Sequence, residues 1–316
     1  MPQKDELIDV VIPTLNSERT IEQCLKSIRS QTISDDLVVT IIDGGSRDNT
    51  IEIAKSYNCK IFLMPGMYGT GKNGARNYGE HITKSPFVWL IDSDNILKES
   101  TVAERLIEPL SSDPSLNISV PMTAKDDSAS SFNNWISLRE IDYVTRMLSS
   151  AYLFQNGYYF LNDIYHGLSN ATLIRRKALM EVGGYDSDVR TLIRLRSMNL
   201  SKGVVDIKSH FFHNQVSSIL EYLKKWNRRI SKFSNFNESD LENYFVDGPY
   251  LKKGNEYYRN SITGPLIWQP ILDLSKALFD GNTIYLWGVV YIILMLADLA
   301  LHPVSFYKTH KNFQIK

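Results

Sequence analysis

Apolar residues in the early part of the chain fall into short runs separated by polar turns, and segments with helical spacing lie between the runs. Apolar stretches at 8–12, 37–42, 60–64 and 87–91 predict strands. Between the first two, Ile21, Leu25 and Ile28 recur at helical spacing after Asn16-Ser17, a pair suited to capping. Between the next two, Ile51, Ala54 and Tyr57 do the same after Asp48-Asn49. Strands joined through such helices imply right-handed crossovers and a doubly wound, mainly parallel α/β sheet. The run Phe87-Val88-Trp89-Leu90-Ile91 is apolar at every position, as a strand covered on both faces requires.

The pattern is less regular further on. Trp135, Leu138, Ile141 and Val144 predict a helix, 168–174 a further strand, and 176–182 a helix stopped by Gly183-Gly184. From near Val216 a longer helix is predicted, with Ile219, Leu220, Leu223, Trp226 and Ile230 on one face and Lys224, Lys225, Arg228 and Arg229 on the other. That second face reads either as a solvated side or as a basic surface for a membrane. The domain boundary is expected near residue 215, dividing 1–215 from a helical region 216–316.

Composition narrows the partners. In 316 residues, Lys+Arg and Asp+Glu both number 35, so no global charge favours a nucleic acid. Hydrophobic residues at 43% and charged residues at 22% describe a folded protein. Cys24 and Cys59 fall on a core-facing helix and a strand edge, without metal-site spacing, which suggests a reducing compartment. The polar start, running straight into a strand, predicts no secretory signal and a catalytic part facing the cytoplasm.

Ligands of open α/β sheets bind beyond the carboxyl ends of the strands. The loops expected there are Pro13-Thr14-Leu15-Asn16, Asp43-Gly44-Gly45-Ser46, the glycine-rich stretch 66–74, and Asp92-Ser93-Asp94. In extended backbone, residues two apart point to the same side, so Asp92 and Asp94 can converge. Such paired hard oxygen ligands suit Mg²⁺ or Mn²⁺ carrying a substrate diphosphate. The stretch 66–74 satisfies a dinucleotide pattern and nearly a phosphate loop, but Asn73 stands where Ser or Thr would hold the cation, and the pattern follows the third strand rather than the first. A flexible loop whose Lys72 and Arg76 meet a diphosphate accounts for it more simply.

The motifs Val11-Ile12-Pro13-Thr14-Leu15-Asn16, Cys24 to Gln31, Ile42-Asp43-Gly44-Gly45-Ser46-Arg47-Asp48-Asn49-Thr50, Gly74-Ala75-Arg76-Asn77-Tyr78-Gly79 and Leu90-Ile91-Asp92-Ser93-Asp94 resemble, in this order, those of family-2 glycosyltransferases. The resemblance spans roughly residues 8–230. It implies a GT-A fold over 1–215, with a nucleotide-sugar half (about 1–97) and an acceptor half (about 98–215). It also implies a nucleotide-sugar donor, a divalent metal and inversion at the anomeric carbon. Pro13, Thr14 and Asn16 would then line the nucleoside pocket, Asp43 would bond the base, typically uracil, and Arg76 would meet the diphosphate. Asp92 would serve the ribose or metal region, with Ser93 beside it and Asp94 as the direct metal ligand.

The segment Arg175 to Leu179 through Val182-Gly183-Gly184-Tyr185-Asp186 resembles the stretch before the family's catalytic acid. Leu192-Ile193-Arg194-Leu195 fits the apolar-Arg-apolar stretch beyond it, which makes Asp188 the expected base and Asp186 its runner-up. Ser187 stands where glutamate is common in the family, and the connecting loop is short. His213 resembles the histidine that completes the metal shell, ahead of His210, and His166 is expected only to border the acceptor side.

The expected activity is transfer from a UDP-sugar to a hydroxyl of a lipid-linked or cell-surface glycan. The alternatives are a polyprenyl-phosphate glycosyltransferase, which needs no base, and a scaffold that binds sugar nucleotides without turnover. The segment 284–301 is eighteen residues long with Asp298 as its sole charge. As a helix it would reach ~27 Å, just short of a full crossing. Lys308, Lys311 and Lys316 follow it. An in-plane or re-entrant helix is favoured over a span or a buried soluble helix, with 262–278 at the interface, so the protein is expected at the cytoplasmic face of the cell membrane.

Overall fold

A computed structural model describes residues 7–68, 71–164 and 171–214, and the single positions 218, 221 and 290. The predicted basic helix after Val216, the interfacial stretch 262–278, the apolar segment 284–301 (Val290 apart) and His166 lie outside the described residues. Among the described residues no helix is long and apolar enough to cross a membrane. The chain divides into two compact units, Met1–Asp126 with Ser137–Gln215, and Asp127–Ile136 with Val216–Lys316. In the second unit Phe132 stacks on Trp135 with ring centroids 5.6 Å apart.

The first unit opens with β1 (Ile8–Thr14), α1 (Ile21–Arg29), β2 (Leu37–Asp43), α2 (Thr50–Ser56), β3 (Lys60–Leu63), α3 (Gly71–Ile82) and β4 (Phe87–Leu90). These are the strands and the first two helices that the hydrophobic pattern predicts. β3, β2, β1 and β4 pair in parallel, with Ile8 beside Leu37 on one flank and beside Phe87 on the other. Val, Ile and Leu fill these strands because branched side chains pack well on a pleated, covered surface.

Alternation along β4 divides the core into two layers. Phe87 and Trp89 point into a cluster with Ile21, Leu25 and Ile28 of α1, while Val88 and Leu90 point into one with Ala75 of α3. Each fully buried side chain of this kind contributes ~1.5–3 kcal/mol. Trp89 also donates its indole N–H to the Ala171 carbonyl at 2.7 Å. Helix α3 lies close on the sheet because position 79 is glycine: a Cβ there would come within 2.4 Å of Val11 Cγ1 and 3.1 Å of Ile42 Cγ1.

After β4 come β5 (Asn95–Leu97), α4 (Val102–Ser112), β6 (Ile118–Ala124), α5 (Ser131–Leu148), β7 (Leu153–Gln155), β8 (Tyr158–Leu161), β9 (Thr172–Arg175), α6 (Arg176–Glu181), α7 (Asp188–Ser197) and β10 (Gly203–His213). The sheet order is β3-β2-β1-β4-β9-β6-β10-β8-β7, with β5 on β10. The expected mainly parallel sheet is thus mixed. β9 runs antiparallel between β4 and β6, and β5 and β8 are antiparallel to β10. Hairpin connections explain part of this: Asn156 and Gly157, at φ 55° and 94°, form the tight turn joining β7 to β8.

Two further expectations are corrected. Asn16-Ser17 does not cap α1; the helix starts behind Thr20, and Asn16, at φ 51°, instead accepts the Arg47 N–H on its side-chain oxygen at 2.9 Å. The stretch 66–74 is not one flexible loop, because Gly71 already opens α3 and puts Lys72 and Arg76 on that helix.

Candidate active site

The carboxyl ends of β1 and β2 are tied together by one buried carboxylate. Asp43 accepts from Thr14 Oγ1 at 3.1 Å and Ser46 Oγ at 2.5 Å on one oxygen, and from the N–H groups of Gly45 and Ser46, both at 2.8 Å, on the other. Ser46 Oγ in turn accepts the Asn16 N–H at 2.8 Å. These bonds use both Asp43 oxygens to hold the loop. Pro13 and Thr14 are likewise buried in β1, and Asn16 is exposed beyond them. The rim at this end is therefore the exposed loop that Asp43 shapes.

The Asp92-Ser93-Asp94 loop follows β4. Asn95 closes it as a turn, its Oδ1 accepting the Asp92 N–H at 3.0 Å and its own N–H bonding the Asp92 carbonyl at 2.9 Å. Ser93 Oγ reaches Ser17 Oγ at 2.9 Å, which links this loop to the one after β1.

β5 then pairs antiparallel with the end of β10, placing His213 opposite Asn95. His213 Nε2 consequently lies 3.5 Å from Asp94 Oδ1. Asp92, Asp94 and His213 each offer a ligand atom within 4.8 Å of the others, a set that can hold a metal ion. Two carboxylates and an imidazole suit Mn²⁺ or Mg²⁺, so the residues fit the metal that the sequence implies.

A bulge decides which histidine arrives. The register of β10 on β6 shifts between Asp206 and His210. Asp206, fully buried, is gripped there by Arg105 through Nε at 2.7 Å and Nη2 at 2.5 Å, and by Ser209 Oγ at 2.5 Å. Beyond the bulge His213 points into the interior, and His210 turns to Glu99, with Nδ1 2.9 Å from its carboxylate. His213 also meets Glu140 of α5, Nδ1 to Oε1 at 2.8 Å. Burial alone would push the His213 imidazole down, but Glu140 and Asp94 outweigh it and push the pKa up to about 10.

Arg76, which the resemblance sets at the diphosphate, is 0% exposed, and its guanidinium joins two acids from opposite directions. Nη2 is paired with Asp92, while Nη1 donates to Asp188 Oδ1 at 2.7 Å and to the Tyr185 hydroxyl at 3.0 Å. The Tyr185 hydroxyl also donates to Asp188. Burial opposes the charge on Arg76, but Asp92 and Asp188 prevail and hold its pKa above the ordinary value. Burial raises the Tyr185 hydroxyl, with Arg76 opposing and Asp188 adding to the rise. The solvent-facing cation is Lys72, 47% exposed, with Nζ 3.6 Å from Asp92 and 3.8 Å from Asp188.

Asp188 opens α7, and Ser187 caps that helix by accepting the Arg190 N–H at 3.3 Å. Serine at the position where the family commonly has glutamate is a strong capping residue here. Asp186 points elsewhere, 3.6 Å from Arg190 and 44% exposed. Of the residues that assemble, Tyr185 and Glu140 have no role assigned from sequence: Tyr185 lies in the segment ahead of Asp188, whereas Glu140 has no local signal at all.

An α/β sheet whose carboxyl edge gathers an Asp-x-Asp turn, a histidine and a basic helix face has the architecture of the GT-A glycosyltransferases. The profile of "Glycosyl transferase family 2" matches residues 9–183, and the chain belongs to that family. Glycosyltransferase GlyG of Streptococcus pneumoniae is 30% identical over 100 residues, 31% of this chain and 33% of that protein. The Escherichia coli UDP-Glc:alpha-D-GlcNAc-diphosphoundecaprenol beta-1,3-glucosyltransferase WfgD is 30% identical over 93 residues, 29% of this chain and 36% of that protein. The match thus spans about a third of these relatives' length.

Among solved structures, mannosyltransferase PcManGT of Pyrobaculum calidifontis, in complex with GDP-Man and Mn²⁺, superposes with a TM-score of 0.58 at 16% identity, over 96% of this chain and 83% of that one. Glucosyl-3-phosphoglycerate synthase of Mycobacterium tuberculosis, in complex with Mn²⁺, UDP and phosphoglyceric acid, gives 0.50 at 18% identity, over 77% of this chain and 80% of that one. Both likenesses are of fold.

Proposed function

We propose that the chain is an inverting, metal-dependent glycosyltransferase that moves a sugar from a nucleotide diphosphate donor, UDP-linked, to a hydroxyl of a lipid-linked or cell-surface glycan. The observation that carries this reading is the convergence of Asp92, Asp94 and His213 beside Asp188, which Arg76 ties to Asp92. A divalent cation at the three ligands would supply charge stabilisation for the leaving diphosphate.

The chain's own residues divide the remaining work. Lys72, the solvent-facing cation beside Asp92, meets the diphosphate. Asp188, 29% exposed at the mouth of the network, takes the proton of the acceptor hydroxyl while that oxygen bonds to the anomeric carbon and the bond to the diphosphate breaks. Arg76 and Tyr185 fix Oδ1 of Asp188, and Lys72 Nζ stands 3.8 Å from its Oδ2.

For location we propose the cytoplasmic face of the cell membrane, supported by the composition of 216–230 and 284–301. Fractionation of the full chain against one ending near residue 215 tests this.

The enzymatic reading is tested with a panel of nucleotide sugars, scored by thermal shift and by release of the nucleoside diphosphate, with and without Mn²⁺. A donor at a hundred times its dissociation constant adds ~2.7 kcal/mol to stability. A binding donor that is never turned over would leave the scaffold reading standing. Transfer that survives Asp188→Asn would point to a phosphate acceptor, which is already ionised.

A further inference from the structure

His213 has a neighbour that metal ligation does not require. Its Nε2 lies 3.5 Å from Asp94 Oδ1, and its Nδ1 lies 2.8 Å from Glu140 Oε1. Glu140 is itself held: its second oxygen accepts from Thr123 Oγ1 of β6 at 3.2 Å. Thr123 is buried at 4% exposure and His213 at 8%, so the chain of contacts runs through the interior.

An imidazole bound to a cation keeps a single N–H, and the partner of that N–H decides which nitrogen offers its lone pair. A carboxylate at Nδ1 keeps the hydrogen there and leaves Nε2 for the side where Asp92 and Asp94 stand. The same contact stops rotation of the ring about its bond to Cβ. Glu140 stands outside the set of ligand atoms that can converge on an ion. It therefore acts on the site through His213.

We propose that Glu140 is a positioning residue, which fixes the ring and the tautomer of His213 for a divalent cation held with Asp92 and Asp94. The inference rests on the metal-centre reading above and assigns a role to a side chain that no sequence motif marks. Removing such a partner costs ~10–100-fold in metal affinity.

The experiment titrates Mn²⁺ alone into the full chain and follows the paramagnetic resonance of the unbound ion, so it needs neither donor nor turnover. Glu140→Ala should weaken binding by ~10–100-fold. Glu140→Gln, which keeps an oxygen acceptor at Nδ1 and nearly the same shape, should recover most of that loss. In a His213→Ala background, Glu140→Ala should produce no further loss, since residues acting through one another are not additive.

Mn²⁺ affinity unchanged by either Glu140 substitution, while His213→Ala weakens it, overturns the proposal and leaves the metal centre intact. An undiminished effect of Glu140→Ala in the His213→Ala background also overturns it, because Glu140 would then act on the cation directly. Mn²⁺ binding that ignores His213→Ala, or that the wild-type protein lacks, overturns the metal-centre reading and the proposal with it. Should Glu140→Ala fail to fold, Thr123→Val, which removes the Thr123 bond to Glu140, carries the comparison: a weakened Mn²⁺ affinity that disappears in the His213→Ala background supports the proposal, and an unchanged one overturns it.

Discussion

Arg76 Nη1 and Asp188 Oδ1 lie 2.7 Å apart and connect the second turn of α3 to the first residue of α7, two helices far apart in sequence. The same guanidinium holds Asp92, so one buried cation spaces the metal-side acid from the proposed base. A planar fork can grip two carboxylates at once, whereas an ammonium presents a point charge.

Arg76→Met should therefore leave two partly buried acids facing each other without their cation. Breaking a buried pair by removing one partner costs ~3–5 kcal/mol. Calorimetry should show a melting point lowered by roughly 2–4 °C per kcal/mol for a unit of this size. Arg76→Lys should recover little of it. A full recovery by lysine would show that charge alone, without the fork, holds the site.

Tyr185→Phe removes a hydroxyl that donates to Asp188 and accepts from Arg76. Loss of such a buried partner costs ~1–3 kcal/mol. We expect kcat to fall while the donor KM stays within a factor of about two, because the phenol touches the base rather than the donor side. Steady-state kinetics at saturating acceptor checks the split.

Asp188→Asn should keep donor binding and lose ~10²–10⁴ in transfer rate. Asp186→Asn should transfer as the wild type does, since Asp186 pairs with Arg190 on the surface. Equal loss from both substitutions would return the choice of base to the loop as a whole.

The His213 pKa links pH to stability in the metal-free protein. Its folded value, about 10, lies above the ordinary 6.5. The protonated ring thus binds its proton more tightly when folded, and stability from this contact is fully present below pH 6.5 and is lost as pH rises through about 10. Urea melts in chelator across that window should show the decline, and His213→Gln should flatten it.

Gly79→Ala should destabilise by ~1–3 kcal/mol through overpacking. Its new methyl would meet Val11 on β1, which bears no side chain able to swing away at low cost. Equilibrium denaturation measures the loss, and an unchanged midpoint would mean that α3 shifts freely on the sheet.

Much of the donor half was legible because its signals are local. The apolar runs of β1 to β4, the helical spacing of α1 and α2, and the acid-x-acid step after β4 all read from neighbouring residues. The Asn156-Gly157 hairpin was equally local and went unread. The mixed pairing was not legible: the direction of β9 between β4 and β6 depends on a chain path no short window contains.

By itself the sequence determined the family, the order of the early strands and the acids at their carboxyl ends, since propensity, hydrophobic period and motif spacing are properties of adjacent residues. Tertiary structure alone decided how His213, which the family resemblance already favours over His210, reaches Asp94, that Arg76 is a buried clasp between Asp92 and Asp188, and that Glu140 backs the histidine. The reason is register. The bulge at Asp206, clamped by Arg105, sets which side chains of β10 face inward, and that phase is fixed by partners from α4 and β6 that the local sequence cannot specify.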